Sequence, residues 1–567
     1  MMTMLEVWPA FPLFLGAALA AVTRGWLRAM VMLVAPLLGA YGVYQLDPGF
    51  GVSFDFMGYE LAPVRVDSLS LLFGYLFHLA AFIGVIYALH VRDPLQDMAA
   101  LAYAGSAVGA VFAGDLLTLF VYWELLAITS VFLIFARRTP HALGTGMRYL
   151  VMQVASGVLL LAGAIWYANG SGGIAFDYIG LEAPGAWLIF IAFGIKAAFP
   201  LLHGWLTDSY PEATPTGTVF LSAFTTKVAI YALARGFPGT ELLVLIGAVM
   251  TCFPIFFAVI ENDLRRVLAY SLINQLGFMV VGIGIGTELA LNGAVAHAFN
   301  DVIFKGLLMM SMGAVLHVTG EMRGSELGGL YKKMPKTAIL CMVGAASISA
   351  FPLFSGFVSK SMVVAAAIGE GHTVIWLMLL FASAGVFHHA GIKIPFFAFF
   401  AHDSRYVATA HEPPRNMLIA MTLAAVLCVG IGCFPGFLYA LLPYDTGYSP
   451  YDVSHVLAQM QLLAFSALAF TWLKLAGIYP PELRSVHLDV DWLYRRLVPD
   501  AIQGLLVRLA PADRAFRQKS QEGVMAVQRV LARHHGSYGL LGRTWPTGSM
   551  VIWVAVLLGL SLALYYI

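Results

Sequence analysis

Charge is scarce in this 567-residue chain: only 11% of its residues are Asp, Glu, Lys or Arg, where a soluble domain carries about a quarter. That deficit excludes the soluble globular class before any motif is read. Lys and Arg number 32 against 31 Asp and Glu, a net charge of +1. No block of like charge forms a tail, and nothing in this balance points to nucleic acid as a partner. Cysteine is scarce too. Cys252, Cys341, Cys428 and Cys433 all fall in apolar stretches and form no C-x-x-C pair, so they read as small apolar fillers in helices. No ligand set for a haem, an iron–sulfur cluster or another metal is visible, and no cofactor is expected. The GIGIG tract at 282–286 has no strand before it and is not a dinucleotide loop. The first apolar stretch, from about Val7, has no basic region ahead of it. It also lacks a cleavage site followed by a soluble body, and reads as a first span, not a removable signal.

Apolar sequence is abundant: 60% of the residues are hydrophobic and the mean hydropathy is +0.82. A helix crosses a bilayer with about 20 mostly apolar residues. On that basis the chain is predicted to be an all-α polytopic membrane protein of about 14–16 transmembrane helices. Candidate spans lie near 7–23, 27–46, 67–90, 97–113, 115–136, 147–169, 184–206 and 214–236. The others lie near 240–260, 267–286, 289–318, 336–369, 374–401, 415–443, 454–478 and 548–566. Between about 47 and 66 an alternating pattern predicts a short hairpin.

The connections separate by charge. Arg24 and Arg28, Arg92, Arg137 with Arg138 and Arg148, Arg265 with Arg266, Lys332 with Lys333 and Lys336, and Arg405 with Arg415 fall in odd-numbered connections. The even ones carry mostly acids, such as Asp47, Asp55, Glu60, Asp177, Glu182, Glu288 and Glu370. The positive-inside rule places the basic set in the cytoplasm and the N-terminus outside. Asp208 and Glu212, in the seventh connection, are an acidic exception.

Two spans share a local sequence. AFPLLHGW at 198–205 matches AFPLFSGF at 350–357. The two lie five spans apart, so they enter the membrane in opposite directions, the mark of an inverted-topology repeat. Pro200 and Pro352 each remove a backbone donor and break a helix. Paired broken helices are a sequence pointer to an ion site.

Ionisable residues stand where the bilayer centre should be: Glu124, Lys196, Lys227, Lys305 and Lys360. Each costs about 2.5–3.5 kcal/mol at a membrane centre on insertion scales. Five together require a hydrated interior in which they face one another, and such a file suits a proton or small-cation relay. His203, His297, His388 and His389 add groups that titrate near neutral pH, with helix packing as the alternative role. Lys393 and Lys474 lie near span ends, where snorkelling to the interface is the alternative.

Three segments then suggest a family: KAAFPLLHGWLTDSYPEATP at 196–215, TTKVAIYALAR at 225–235 and RRVLAYSLINQLGF at 265–278. They resemble the antiporter-like subunits shared by respiratory complex I and Mrp-type cation/proton antiporters, most of all the D subunit of Mrp-type complexes. The resemblance covers roughly residues 60–440. It implies that Glu124 pairs with Lys196, the lysine of the first broken helix. Lys227 and Lys305 would continue the file, with Lys360 of the second broken helix towards one exit. A hydrated axis would join them, and opening of the Glu124–Lys196 pair would tune the proton affinity of Lys227. The family often has a second histidine four residues before the lysine at 305. Here that place is Asp301, an acid placed to pair with Lys305 and hold it charged.

The implied organisation is N-terminal transmembrane helices with an external hairpin (1–95), two antiporter-like repeats (96–237 and 238–402), C-terminal transmembrane helices (403–480), an amphipathic cytoplasmic surface segment of one or two helices (481–547) and a final span (548–567). The expected function is proton translocation, with Na+ or K+ as further ions, in a multi-subunit antiporter of the cell (inner) membrane. The partners are other membrane subunits and the lipid bilayer, and no catalytic chemistry of its own is expected. The alternative is a proton-pumping subunit of a complex I-like NADH:quinone oxidoreductase or related redox complex. A self-sufficient transporter and a haem-bearing membrane oxidoreductase are less favoured.

Overall fold

The computed structural model describes residues 8–171, 173–483, 488–539 and 541–567. The chain divides into two compact units, 1–487 and 488–567. In the first, α1 (Phe11–Val22) and α2 (Gly25–Tyr44) precede the hairpin β1 (Gly51–Phe56) and β2 (Tyr59–Arg65). Then follow α3 (Ser68–Ala88), α4 (Pro94–Phe112), α5 (Leu116–Phe135), α6 (Pro140–Ser171), α7 (Ala186–Lys196) and α8 (Gly204–Ser209). Next come α9 (Gly217–Ala223), α10 (Thr225–Gly236), α11 (Glu241–Ile260), α12 (Leu264–Ile285), α13 (Glu288–Thr319), α14 (Pro335–Ile348) and α15 (Ser355–Gly369). The unit ends with α16 (Thr373–Val386), α17 (Arg415–Cys433) and α18 (Val453–Leu475).

Among the described residues thirteen helical segments are long and apolar enough to cross a membrane, and α1, α7, α14 and α15 are shorter apolar helices. Counting α7–α8 and α14–α15 as single interrupted crossings matches these elements one to one with the spans expected from hydropathy. The chain is a multi-pass membrane protein. The hairpin closes through Met57 (φ 50°) and Gly58 (φ 85°), two consecutive left-handed residues of the kind a type I′ turn requires. At its far end Asp67 caps α3, accepting from the Ser70 N–H at 2.8 Å. Burial raises the Asp67 pKa, but the Arg235 guanidinium, the Ser70 N–H and Arg65 outweigh it and hold the carboxyl below its ordinary range.

The two broken helices are copies in backbone as well as sequence. Ala198 and Leu201 have φ of 60° and 71°, and Ala350 and Leu353 have φ of 57° and 72°. In each, the phenylalanine N–H reaches five residues back: Phe199 to the Gly194 carbonyl at 2.9 Å, Phe351 to the Ala346 carbonyl at 3.0 Å. A residue other than glycine at positive φ costs of order 1–3 kcal/mol. Two such pairs at equivalent positions mean that the break itself is built in twice. The freed carbonyls find donors: Ile195 O takes the Trp205 indole N–H at 2.8 Å, Ile348 O takes the Lys360 ammonium at 3.0 Å, and Ser349 O takes the Gln459 amide at 3.1 Å. Such satisfaction is what irregular backbone at membrane depth requires.

Small residues bring α11 and α12 together. A Cβ on Gly277 would lie 2.6 Å from the Thr251 backbone nitrogen, and one on Gly247 would lie 2.6 Å from that of Val281. Close backbone approach of this kind is how membrane helices gain packing without a hydrophobic drive.

In the second unit α19 (Val498–His535) runs for 38 residues, about 57 Å at 1.5 Å per residue. It is one helix where the sequence left one or two open. It precedes α20 (Thr547–Tyr566), an apolar helix long enough to span.

Candidate functional site

The buried charges fall into two groups. The first is built on α5, α6 and α7. Lys196, the last residue of α7, is fully buried, and its ammonium donates to the Trp123 carbonyl at 2.5 Å and lies 4.6 Å from the Trp123 ring centre. The Trp123 indole donates to Ser156 Oγ at 2.9 Å, and Ser156 donates to the Ala192 carbonyl at 2.7 Å, which ties α5, α6 and α7 together around that lysine. Glu124 is the next residue on α5. Its carboxylate faces Gly157, where a Cβ would stand 1.5 Å from Oε1. That oxygen is buried and accepts no hydrogen bond from the described residues. The Glu124–Lys196 pair implied by the resemblance is therefore not closed as a direct ion pair: the ammonium is drawn to the Trp123 carbonyl and ring instead.

The second group is built on α10, α12, α13 and α15. The crossing that contains α9 and α10 is interrupted at Phe224, and α10 opens one residue later. Tyr103 Oη accepts the Thr225 N–H at 3.0 Å at this opening. Lys227 thus sits in the first turn of α10, where it donates to the Ser222 carbonyl at 3.1 Å. Its ammonium is 2.6 Å from Asp301 Oδ2, and both side chains are at 0% exposure.

This corrects the expectation that Asp301 would pair with Lys305. Four residues apart on one helix they share a face, but Lys227 comes in from another helix at closer range, and Lys305 donates to Ser271 Oγ on α12 at 2.8 Å. His297, one turn earlier on α13 than Asp301, bridges two helices. Its Nδ1 meets Ser359 Oγ of α15 at 3.0 Å and its Nε2 meets Gln275 Oε1 of α12 at 3.2 Å. Gln275 donates in turn to Asn274 Oδ1 at 2.6 Å. Lys360 is buried, donates to the Ile348 carbonyl at the second helix break, and lies 4.9 Å from the Phe278 ring centre. Lys227, Lys305 and Lys360 all act electrostatically on His297.

A cavity of about 330 Å³ reaches Lys360 from α18. Ser361, Ser383, His455 and Gln459 line it, and the Oγ atoms of both serines and His455 Nδ1 have no hydrogen-bond partner among the described residues. Gln153 on α6 and Thr226 beside Lys227 are likewise buried with side-chain polar atoms unpaired. Buried polar groups in such places are the ordinary hosts of internal water.

The remaining candidates lie apart. His203 is buried against the Phe253 ring, with centroids 4.7 Å apart. His388 stacks on Tyr479 and meets the Phe470 ring edge-on. His389 is buried on a π-helical turn, Phe387–Ile392, within electrostatic reach of Lys305 and Lys393. Lys393 does not snorkel. It is fully buried, donates to the carbonyls of Ala258, Val259 and Glu261 that end α11, and meets Glu482 at 2.9 Å. Lys474 is exposed over the rings of Phe396, Phe397 and Tyr479. Sequence reasoning missed the polar network of Ser271, Asn274, Gln275, Asn300 and Ser359. Its available signal was the adjacent Asn274 and Gln275 in the middle of an apolar span.

The comparisons with known proteins follow this geometry. The family model described as NADH:quinone oxidoreductase/Mrp antiporter, TM, matches residues 113–439, which contain both groups. The chain is 31% identical over 437 residues to the A/B subunit of a probable K(+)/H(+) antiporter of Rhizobium meliloti (strain 1021), covering 70% of this chain and 42% of that protein. It is 29% identical over 365 residues to the D subunit of the Na(+)/H(+) antiporter of Alkalihalophilus pseudofirmus (strain ATCC BAA-2126 / JCM 17055 / OF4), covering 60% of this chain and 73% of that protein. The chain thus spans less than half the length of the first of these relatives. Its fold is shared with a chain of the Mrp complex from Dietzia sp. DQ12-45-1b, at TM-score 0.69 and 21% identity over 81% of this chain and 99% of that one. It is also shared with a chain of the membrane-bound sulfane sulfur reductase, an archaeal respiratory membrane complex, at TM-score 0.71 and 20% identity over 98% of this chain and 99% of that one. The chain belongs to the NADH:quinone oxidoreductase/Mrp antiporter transmembrane family.

Proposed function

We propose that this chain is the proton-conducting membrane subunit of a multi-subunit monovalent cation/proton antiporter of the cell membrane, with its N-terminus outside. The observation that carries the reading is the Lys227–Asp301 ion pair, buried at 0% exposure and held among Lys305, His297 and Lys360. A buried pair of this kind is a weak source of stability, since desolvation offsets its attraction. Its retention in an apolar interior is better explained by a charge that moves. Protons would pass between the Glu124–Lys196 group and the Lys227–Asp301 group through water held at Gln153 and Thr226. They would continue along Lys305 and His297 to Lys360 and leave by the cavity beneath α18. The similar antiporter subunits are named for K+ and for Na+, and either ion suits the coupled cation.

The test is expression with the neighbouring subunits in cells lacking their own antiporters, followed by cation-induced collapse of a proton gradient in everted vesicles. Exchange with either Na+ or K+ supports the reading, and none with either ion sinks it. In the same assay Gly157→Ala should slow exchange roughly tenfold or more, because a methyl there displaces the Glu124 carboxylate and small misplacements of a reacting group are costly. An unchanged rate would show that the carboxylate's position does not matter.

A second reading, a pumping subunit of a redox-driven complex, has one specific support. The respiratory-complex chain covers 98% of this chain, the C-terminal unit included, against 81% for the Mrp-complex chain. Purification of the assembled complex distinguishes the two: iron–sulfur or flavin absorbance in the co-purified subunits favours the redox reading.

A further inference from the structure

We propose that His455, in the first turn of α18, is the outermost proton carrier of this chain, exchanging protons between Lys360 and the water outside. This rests on the reading above, in which Lys360 ends the buried file and the N-terminus lies outside.

Lys360 and His455 line the same cavity of about 330 Å³. The other polar side chains described around it are Ser361, Ser383, Ser454 and Gln459, which carry hydroxyl or amide groups that do not ionise at neutral pH. Histidine is the side chain that gains and loses a proton there. Two consecutive carbonyls of the second helix break fix the spacing. Ile348 O takes the Lys360 ammonium at 3.0 Å, and Ser349 O takes the Gln459 side-chain amide at 3.1 Å. The Gln459 side chain therefore ends close to that of Lys360. His455 lies four residues before Gln459 on α18, so the two share a face, and it stands about 6 Å nearer the start of the helix. On the proposed orientation α18 starts at the outer surface. One helical turn of cavity wall thus leads from the neighbourhood of Lys360 to an imidazole at the outer end. Polar groups along it suit a short chain of water.

His455 is poorly placed to hold helices together. Its ring makes no hydrogen bond to another helix among the described residues, and the Tyr448 ring centre is 6.3 Å away. Nδ1 is covered and stands 3.9 Å from Asp452 Oδ2, while the side chain as a whole is 38% exposed. The carboxylate therefore flanks one edge of the ring, and the remaining ring atoms are open. Asp452 also accepts from the Ser454 hydroxyl, which holds the carboxyl below its ordinary range. It is an anion placed to orient the ring and to steady an imidazolium. In the outward direction the Lys360 ammonium gives a proton to cavity water and becomes an amine. That water passes a proton to the imidazole, and the imidazolium releases one to the water outside. The ring ends neutral, ready for the next proton.

Everted vesicles place the outer face in the lumen, so the same exchange assay tests this. His455→Ala and His455→Asn, in the assembled complex, should each slow exchange roughly tenfold. That is less than the roughly hundredfold or more of a positioned acid–base group, because cavity water still offers a slower path. An impermeant zwitterionic buffer that titrates near neutrality, such as MOPS, should restore most of the rate to both variants when enclosed in the lumen. The same buffer in the medium should not. A side chain that only packs α18 cannot be replaced by a buffer, so slow variants that luminal MOPS fails to restore would overturn the proposal. Equal restoration from either side, or unchanged rates in both variants, would overturn it as well. Should His455→Ala fail to assemble, His455→Asn, which keeps a polar side chain, decides. A wild-type complex that exchanges neither Na+ nor K+ overturns the underlying reading. Exchange in wild type that persists undiminished in the variants overturns the role of His455 alone.

Discussion

Asp301→Asn should abolish cation-coupled proton exchange while the chain still reaches the membrane. Asp301 is the sole acid in contact with the Lys227 ammonium among the described residues, at 2.6 Å with no exposure of either group. Breaking a buried pair from one side costs about 3–5 kcal/mol when the other charge stays in place. Lys227 escapes that cost by giving up its proton, and a permanently neutral Lys227 cannot pass charge along the file. The control is Asp301→Asn combined with Lys227→Met, read by melting temperature and exchange rate together. If the pair only holds helices together, the double variant recovers both stability and exchange. If the pair relays protons, stability returns and exchange does not. An exchange rate near wild type in Asp301→Asn alone would remove the pair from the mechanism. Asp301→Glu keeps the charge at a different reach, and should retain part of the rate.

Lys196→Ala and Glu124→Ala should each abolish transport without loss of assembly. On the proposed reading the two act as one element although they form no ion pair: Lys196 is anchored on the Trp123 carbonyl, and Glu124 is the next residue of the same helix as Trp123. Small shifts of the ammonium between that carbonyl and the carboxylate would change the field along the file without moving a helix. Truncating Lys196 leaves α7 ended by the same break, which the Phe199-to-Gly194 bond and the Trp205 indole hold, so folding should survive. Vesicle exchange, with co-purification of the partner subunits as the assembly control, decides this. Full activity in either variant counts against the relay.

Much of this protein was legible before any coordinates. A span of about 20 apolar residues is a local requirement of bilayer thickness, so the crossings could be read from hydropathy alone. Each of them is helical here, with the crossings at 184–206, 214–236 and 336–369 interrupted. The repeat of AFPL at 198 and 350 foretold paired breaks, because proline removes a backbone donor and clashes with the preceding turn, and both breaks share one backbone form. Met57-Gly58 closed the predicted hairpin for the same local reason. For Lys393 the sequence left snorkelling open, because nearness to a span end is a weak guide to exposure. The carbonyls ending α11 and Glu482 came to it from distant parts of the chain.

The sequence by itself determined the membrane class, the crossings, the two breaks and which residues would be charged inside the bilayer. Each of these depends on neighbours within a few residues of one another. Only the tertiary structure decided who pairs with whom. Spacing put Asp301 beside Lys305 on one helix face, yet helix packing delivered Lys227 to Asp301, left Lys305 to Ser271, and turned Lys196 towards Trp123. The physical reason is that a charge buried in low dielectric settles with whichever partner lies within hydrogen-bonding reach, and that distance is set by how helices pack, not by their order along the chain.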